Sequence, residues 1–504
     1  MIRQIDLLAT GLAVLFLIWA PLPFGGVTPW AETSLEVLAF LCLALAFLAL
    51  GRFADLRPVL LPIGAILGVA LFGLIQALPW PAPLVAFLSP AHSELYRQAA
   101  ALLAPAPAGL PRLTVAVPAT RSAALLWIAA GACLVVGAVV GHHRRGRRVL
   151  GAAVLLSALF QILFGARSAM AGERTLWGVL VPISAARLRG TFFNPNHLAV
   201  YLEMALPIAF AWAFWSIRRA RYDTSIERRL LMVAPSVLFW LLLFSGLGFT
   251  ASRGGLLAAT AAAGLQGALL AILYRRWDLA PLGAVAAVVG LAVAAAAGIE
   301  EGLSRLLHSL PADVSWGARR QAWAATVELW QRFPVTGAGL GAFRDAFPLV
   351  QPASLPGTWW HAHSGPLEVL ATTGLAGVLL FASGLAFLAL RLLAVLSRGR
   401  RSEDRAAGLA AMGILASLAI HESFDFGLTL PANALTLAVL VGAAASARLG
   451  SNSPIAIPAA PWRQGDRAGE DRAAGDALDL EEVQARRERA HKAKRSPRRR
   501  RKST

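Results

Sequence analysis

SAALLWIAAGACLVVGAVV, residues 122–140, runs into the basic turn GHHRRGRR, 141–148, and then into a second apolar run, VLGAAVLLSALFQILFG, 149–165. Neither apolar run carries a charge. A bilayer core needs roughly 20 apolar residues in helical form. Lipid offers no partner to backbone N–H and C=O groups, so each run must close its own hydrogen bonds as a helix. The stretch reads as two spanning helices joined on one membrane side by four arginines.

The same unit recurs along the chain. Candidate spans fall at about 5–22, 35–50, 59–78, 122–140, 149–165, 197–216, 230–249, 254–273, 279–298, 365–390, 406–422 and 431–447, with 35–50 short and 365–390 long. The expected fold class is all-α, a polytopic integral membrane protein of about 12 transmembrane helices. Of 504 residues, 57% are hydrophobic and 15% are charged, too little charge for a soluble domain of this length. The net charge of +19 does not point to nucleic acid, because the excess sits in the last forty or so residues and in short loops between apolar runs. Cys42 and Cys133 lie inside apolar runs, which argues against a disulfide or a thiolate metal site. Met1 to Pro21 has the length of a signal peptide. It lacks a small-residue cleavage site and more spans follow, so it reads as the first retained helix.

Arginines recur after each even-numbered span: Arg52 and Arg57; Arg144, Arg145, Arg147 and Arg148; Arg218, Arg219, Arg221, Arg228 and Arg229; Arg275 and Arg276; Arg398, Arg400, Arg401 and Arg405. The positive-inside rule then places both termini in the cytoplasm, with the three lysines, Lys492, Lys494 and Lys502, on that side. Two regions follow: a multi-span membrane domain, 1–450, and a basic, disordered cytoplasmic tail, 451–504. Within the tail, Leu478 to Ala493 is a candidate charged helix, and the final basic run suits anionic head groups or simply fixes topology. The outer loops are longer. The largest, 299–364, is too long for a plain connector. Inside it Trp316 to Phe333 is expected to form an amphipathic helix with Trp323, Val327 and Trp330 on one face.

Four polar clusters on the outer side are candidates for chemistry. The outer loops hold arginine and no lysine, and arginine binds phosphate oxygens in a fork that lysine cannot copy. Arg253, in Ala251-Ser252-Arg253-Gly254-Gly255, sits at the mouth of a helical hairpin, where an ionisable group is a functional candidate or an interface anchor. In His361-Ala362-His363-Ser364, a histidine at a helix mouth suits a general base near neutral pH. No third ligand at convincing spacing supports a metal there. In Arg189-Gly190-Thr191-Phe192-Phe193-Asn194-Pro195-Asn196-His197, Asn194 and Asn196 suit sugar hydroxyls or a helix cap. His421 and Asp425 are four apart and share a helical face, as a site pair or as a local closure of the helix end.

Taken in order, 189–197, Ser252-Arg253-Gly254-Gly255, Arg319 through Trp323 to Phe333-Pro334-Val335-Thr336-Gly337-Ala338-Gly339-Leu340-Gly341, His361-Ala362-His363-Ser364 and Thr373-Gly374-Leu375-Ala376-Gly377 resemble the O-antigen ligase and polymerase family of bacterial envelope polysaccharide enzymes. The resemblance covers about 160–435. It implies a glycosyltransferase C-like membrane fold and a metal-independent transfer of a glycan from undecaprenyl pyrophosphate, at the periplasmic face of the bacterial inner membrane, without a cofactor. The acceptor is lipid A-core for a ligase and another repeat unit for an O-antigen or exopolysaccharide polymerase. Carried over by motif position, the catalytic residues are His363, Arg253 and Arg319, with Arg320 as an alternative to Arg319. Arg189, Asn194, Asn196, His197, Arg320, His361, His421 and Asp425 are the candidate substrate contacts. The chain departs from the family pattern after the histidine, where Ser364 and Gly365 replace Asn and Asp, and at Thr373, where Glu is common. Those departures bear on the acceptor more than on the donor.

Two other function classes compete. A polysaccharide or lipid transporter needs ionisable groups at mid-membrane on broken helices, whereas here nearly every charge falls at a span end. A non-catalytic membrane scaffold needs none of the three catalytic candidates.

Overall fold

A computed structural model describes residues 2–51, 53–102, 109–180, 187–275 and 316–450, together with residues 285, 288 and 292. Fifteen helices carry the described chain: α1 Ile2–Trp19, α2 Pro29–Ala49, α3 Leu60–Gln76, α4 Ala82–Leu88, α5 Pro90–Leu102, α6 Val117–Gly141, α7 Arg144–Met170, α8 Pro195–Ala220, α9 Ile226–Phe249, α10 Arg253–Tyr274, α11 Trp316–Arg332, α12 Phe343–Ala346, α13 Gly365–Arg398, α14 Ser402–Glu422 and α15 Pro431–Ala445. One two-stranded antiparallel hairpin, β1 Thr175–Leu176 and β2 Val179–Leu180, lies between α7 and α8.

Eight helices among the described residues are long and apolar enough to cross a bilayer: α2, α3 with its leading turn, α6, α7, α8, α9, α10 and α13. The chain is a helical, polytopic membrane protein. Helices α1, α14 and α15 occupy three more of the expected spans, and the span expected at 279–298 lies outside the described residues, as do 299–315 and the tail 451–504. The second span begins earlier than the hydropathy implies, because Pro29 at the first helical position starts α2 ahead of the apolar run. The tenth runs on to Arg398.

The core is a close helix crossing. Helix α15 packs most extensively on α6. A Cβ on Gly137 would stand 2.1 Å from the Val439 carbonyl oxygen, and one on Gly442 would stand 2.2 Å from that of Leu134. Gly137 and Gly141 are four apart on α6, the small-residue spacing that lets two backbones touch where lipid tails offer no competing hydrophobic drive.

Helix α13 is not continuous. Gly374 has φ 61 and ψ −168 inside it, a conformation open to glycine and costly for any other residue. The loop after α11 crosses the break. Ala338 and Gly339 donate their N–H to the carbonyls of Ala371 and Thr372, both at 2.9 Å, while Leu375 and Ala376 donate to Pro334 and Val335 at 3.0 and 3.2 Å. The buried side chain of Gln76, at the end of α3, closes the remainder. Its Nε2 donates to the Thr336 carbonyl at 2.6 Å and to that of Thr372 at 3.3 Å, and its Oε1 accepts from Leu340 N–H at 2.9 Å.

Around this junction a cap forms over one end of the bundle. Its apolar core includes Leu329, Phe333, Phe343, Phe347 and Ala371. Helix α11 is in the cap, as its amphipathic pattern predicts, but its buried face is Ala322, Ala325, Thr326 and Leu329. The expected face of Trp323, Val327 and Trp330 is only half-buried, because the small residues bring the helix close and leave the tryptophans at its flanks. Trp323 and Trp330 spend their indole N–H groups on the carbonyls of His363 and Pro334.

Replacing Gln76 with Leu removes three hydrogen bonds and leaves buried backbone groups without partners, at about 1–3 kcal/mol each. The melting temperature of the detergent-purified Gln76→Leu variant is expected to fall by several degrees with membrane insertion intact. An unchanged melting temperature would show that the crossing does not depend on this side chain.

Candidate active site

Five chain segments meet beside the cap: the start of α8, the start of α10, the start of α11, the turn before α13, and the end of α14 with the residues after it. His363 lies in the turn before α13 with φ 52, a left-handed conformation uncommon for a residue with a side chain. Trp323 holds its carbonyl at 3.1 Å. Its ring stands edge-on to Trp359 at 5.7 Å and to Phe426 at 4.9 Å. Nδ1 of His363 is 3.7 Å from Oδ1 of Asp425, too long for a hydrogen bond and short enough for an ion pair once the ring is protonated.

Asp425 is the hub. Its side chain is 4% exposed. Oδ2 accepts from Asn196 Nδ2 at 2.8 Å and lies 3.8 Å from His421 Nε2, and Oδ1 accepts the Phe426 N–H at 3.0 Å. Its backbone carbonyl takes the Gly365 N–H at 3.0 Å, which pins the start of α13 to the end of α14. Burial by itself raises the pKa of this carboxyl. The interaction with His363 and the charges of His421, His197 and Arg319 outweigh burial and hold the carboxyl well below its ordinary range.

Behind Asp425 the polar chain continues into the membrane domain. His421 Nδ1 is 2.5 Å from Oε1 of Glu203, and Ser417 Oγ donates to the other Glu203 oxygen at 2.9 Å. Both the histidine and the glutamate are fully enclosed. The order Glu203, His421, Asp425, His363 alternates carboxylate and imidazole from the interior of α8 to the edge of the cap.

His361 packs on the same aromatic ring. It stacks on Phe426 at 4.2 Å, and its Nδ1 meets Glu368 Oε1 at 2.9 Å, while Oε2 of Glu368 accepts the Ala362 N–H at 2.9 Å. His197, buried at the start of α8, stands edge-on to Phe426 at 5.2 Å. Among the described residues no group of three or more His, Cys, Asp and Glu side chains is placed to hold a metal ion.

Arg319 and the start of α10 adjoin the hub. Arg319 Nη1 donates to the Phe424 carbonyl at 2.6 Å, and its neighbour Arg320 is exposed. Arg253 is the first residue of α10 and is exposed, with Ser252 Oγ capping the helix by accepting the Gly255 N–H at 3.2 Å. A Cβ on Gly254 would lie 3.1 Å from His421 Cδ2, so the start of α10 abuts the histidine of the relay. Arg187 ties the segments together: Nε donates to the Thr250 carbonyl at 2.8 Å, and Nη2 donates to Asn196 Oδ1 at 2.7 Å. A helix N-terminus beside arginine forks is a suitable seat for phosphate oxygens.

The structure therefore joins His363, Asp425, His421, Asn196, His197, His361 and Arg319 in one cluster, with the start of α10 against it. Asn194 accepts the Asn196 N–H at 2.9 Å and caps α8, and Arg189 Nη2 donates to the Glu173 carbonyl at 3.0 Å. Residues 237–382 match a family model described as O-antigen ligase. Over that segment the chain is similar to the O-antigen ligase family. The matched stretch carries Arg253, Arg319, Arg320, His361 and His363, and supports a glycosyltransferase of the ligase or polymerase type. The second half of the hub, Asn196, Glu203, His421 and Asp425, lies outside it. No curated protein matches the chain.

Sequence reasoning passes over Glu203, Glu368, Phe426 and the hub role of Arg187. A usable signal exists for Glu203, since an acid within an apolar span is a functional candidate by default.

A carboxylate held below its ordinary range stabilises the fold above its unfolded value, near 3.8, and loses that contribution as the pH falls toward its lower folded value. The melting-temperature gap between the wild-type protein and its Asp425→Asn variant is expected to be steady above about pH 5 and to shrink below about pH 4. A gap that widens on acidification would contradict the ionised, hub-forming Asp425.

Proposed function

We propose that this protein transfers a glycan from undecaprenyl pyrophosphate to an acceptor hydroxyl, as an O-antigen ligase does to lipid A-core, at the periplasmic face of the inner membrane. The observation that carries the reading is the pairing of His363 with buried Asp425 next to Arg319 and to the start of α10, which bears Arg253, with His363 and both arginines inside the matched segment.

The acceptor oxygen attacks the anomeric carbon as the bond from that carbon to the pyrophosphate oxygen breaks. The hydroxyl proton passes to His363, and Asp425 stabilises the imidazolium that results. A positioned acid–base group of this kind contributes about 10²–10⁴-fold. Negative charge on the departing pyrophosphate grows along the reaction. Arg253, the α10 N-terminus and the free face of Arg319 attract it most strongly in the transition state, which is what accelerates the step. Asn196, His197, His361 and Arg320 border this space and serve the sugar, His421 supports Asp425 from behind, and Asn194 and Arg189 shape the loop that presents Asn196. The departures at Ser364, Gly365 and Thr373 lie on the α13 side of His363, so acceptor choice is where this protein differs from the family pattern.

Deletion of the gene is expected to leave lipid A-core without attached chains while lipid-linked glycan accumulates. Core carrying one repeat assigns polymerisation, and an unchanged lipopolysaccharide together with an unchanged lipid-linked pool overturns the reading. In a complementation assay His363→Ala is expected to abolish transfer. Arg253→Lys is expected to lose most of it, because a point charge does not replace a fork; near-normal transfer by Arg253→Lys would remove pyrophosphate contact from its role.

A further inference from the structure

A second built site lies at the end of the bundle remote from the cap. The α6–α7 turn, the α13–α14 turn and the segment that follows α15 converge on a cavity of about 220 Å³, lined by Arg144, Arg147, Arg400, Arg401, Arg448 and Asp404, with two histidines. Among the described residues Asp404 is the one acid in the lining, and it is already engaged. One oxygen pairs with buried Arg147, and the other accepts the Arg401 N–H at 3.0 Å. Arg144 reaches only the half-exposed Glu403, at 3.6 Å. Arg448 donates to Nε2 of His142 at 2.8 Å, a contact that a ring nitrogen accepts only when the imidazole is neutral. The Arg400 side chain is exposed, and no described side chain pairs with it.

Helix α7 sharpens the imbalance. Its first residues are Arg144-Arg145-Gly146-Arg147-Arg148, it has no acid in its first turn, and His143 gives it no side-chain cap. A helix N-terminus already carries partial positive charge and favours acidic neighbours. Here cations crowd it, and among the described residues the lining sets five arginines against one acid. The cavity is smaller than the roughly 300–1,000 Å³ of ordinary small-molecule sites, which suits a compact anionic group. Arginine forks and a helix N-terminus together favour phosphate oxygens.

We propose that this cavity binds a phosphate group, either on the head of an anionic phospholipid or as the free ion. The proposal is independent of the transfer reaction at the other end of the molecule.

The test titrates full-length protein in detergent, by calorimetry, with dihexanoyl phosphatidylglycerol, with inorganic phosphate, and with dihexanoyl phosphatidylcholine as a zwitterionic control. Saturable binding of at least one anion is expected, weakening as salt rises. Binding of phosphatidylglycerol alone assigns a lipid head group, and comparable binding of inorganic phosphate assigns the free ion. Arg400→Glu and Arg448→Gln are each expected to weaken binding about tenfold or more, the loss of one charge-assisted contact. Arg400 is exposed, so Arg400→Glu leaves the packing intact, and Arg448→Lys, which keeps the charge, is expected to retain part of the affinity. The proposal is overturned by no saturable binding of either anion, by equal binding of the zwitterionic lipid, or by wild-type affinity in both charge-removing variants.

Discussion

A helix that breaks inside a membrane protein exposes backbone groups for which lipid has no partner, at several kcal/mol each. Helix α13 breaks at Gly374, and the loop from Pro334 to Gly339 supplies the missing partners. Four backbone hydrogen bonds and the three of Gln76 make this crossing a single joint between α3, α13 and the cap. The geometry on its far side follows. The short segment from Gly365 to Thr373 is held at an angle set by the joint. Glu368 on that segment turns back to hold His361 and the Ala362 N–H, and the chain enters the segment through His363 in its left-handed conformation.

The second constraint is electrostatic. Asp425 is a buried carboxylate, and a buried charge is tolerated only when paired and hydrogen-bonded. Its partners come from α8, α14 and the turn before α13, so neutralising one charge draws three parts of the chain to one point. Glu203 extends the same logic into the bundle through His421 and Ser417. It answers the transporter reading in part. Glu203 is an ionisable group within a span, yet its oxygens are taken by protein side chains, and α8 is the most buried of the eight candidate spans.

Uncharged runs of about twenty residues and alternating arginine clusters made the helices legible, because lipid imposes both patterns directly. The structure places the clusters at 144–148 and 400–405 at one end of the bundle, through the Arg147–Asp404 pair. Less visible was the break in α13, since a glycine within an apolar run reads like its neighbours until the loop that crosses it is known. The seam of α11 was hidden for a related reason: tryptophan dominates a hydropathy pattern, while alanine decides how near two elements come. His421 and Asp425 stood out because a spacing of four places them on one helical face. The pairing of Asp425 with His363, and of Glu203 with His421, joins distant parts of the chain, and no local spacing rule announces it. The same holds for Arg187, which resembles the other outer arginines in sequence and differs only in what it touches.

The central claim is that His363 and Asp425 act as one unit on the acceptor proton. A double-mutant cycle of transfer rates, measured with purified lipid-linked donor and lipid A-core, tests it most directly. Residues that act together are strongly non-additive. His363→Ala combined with Asp425→Asn is expected to be no slower than His363→Ala alone, although Asp425→Asn by itself is markedly impaired. Losses that multiply in the double variant would mean that the two residues act independently and that Asp425 does not work through His363.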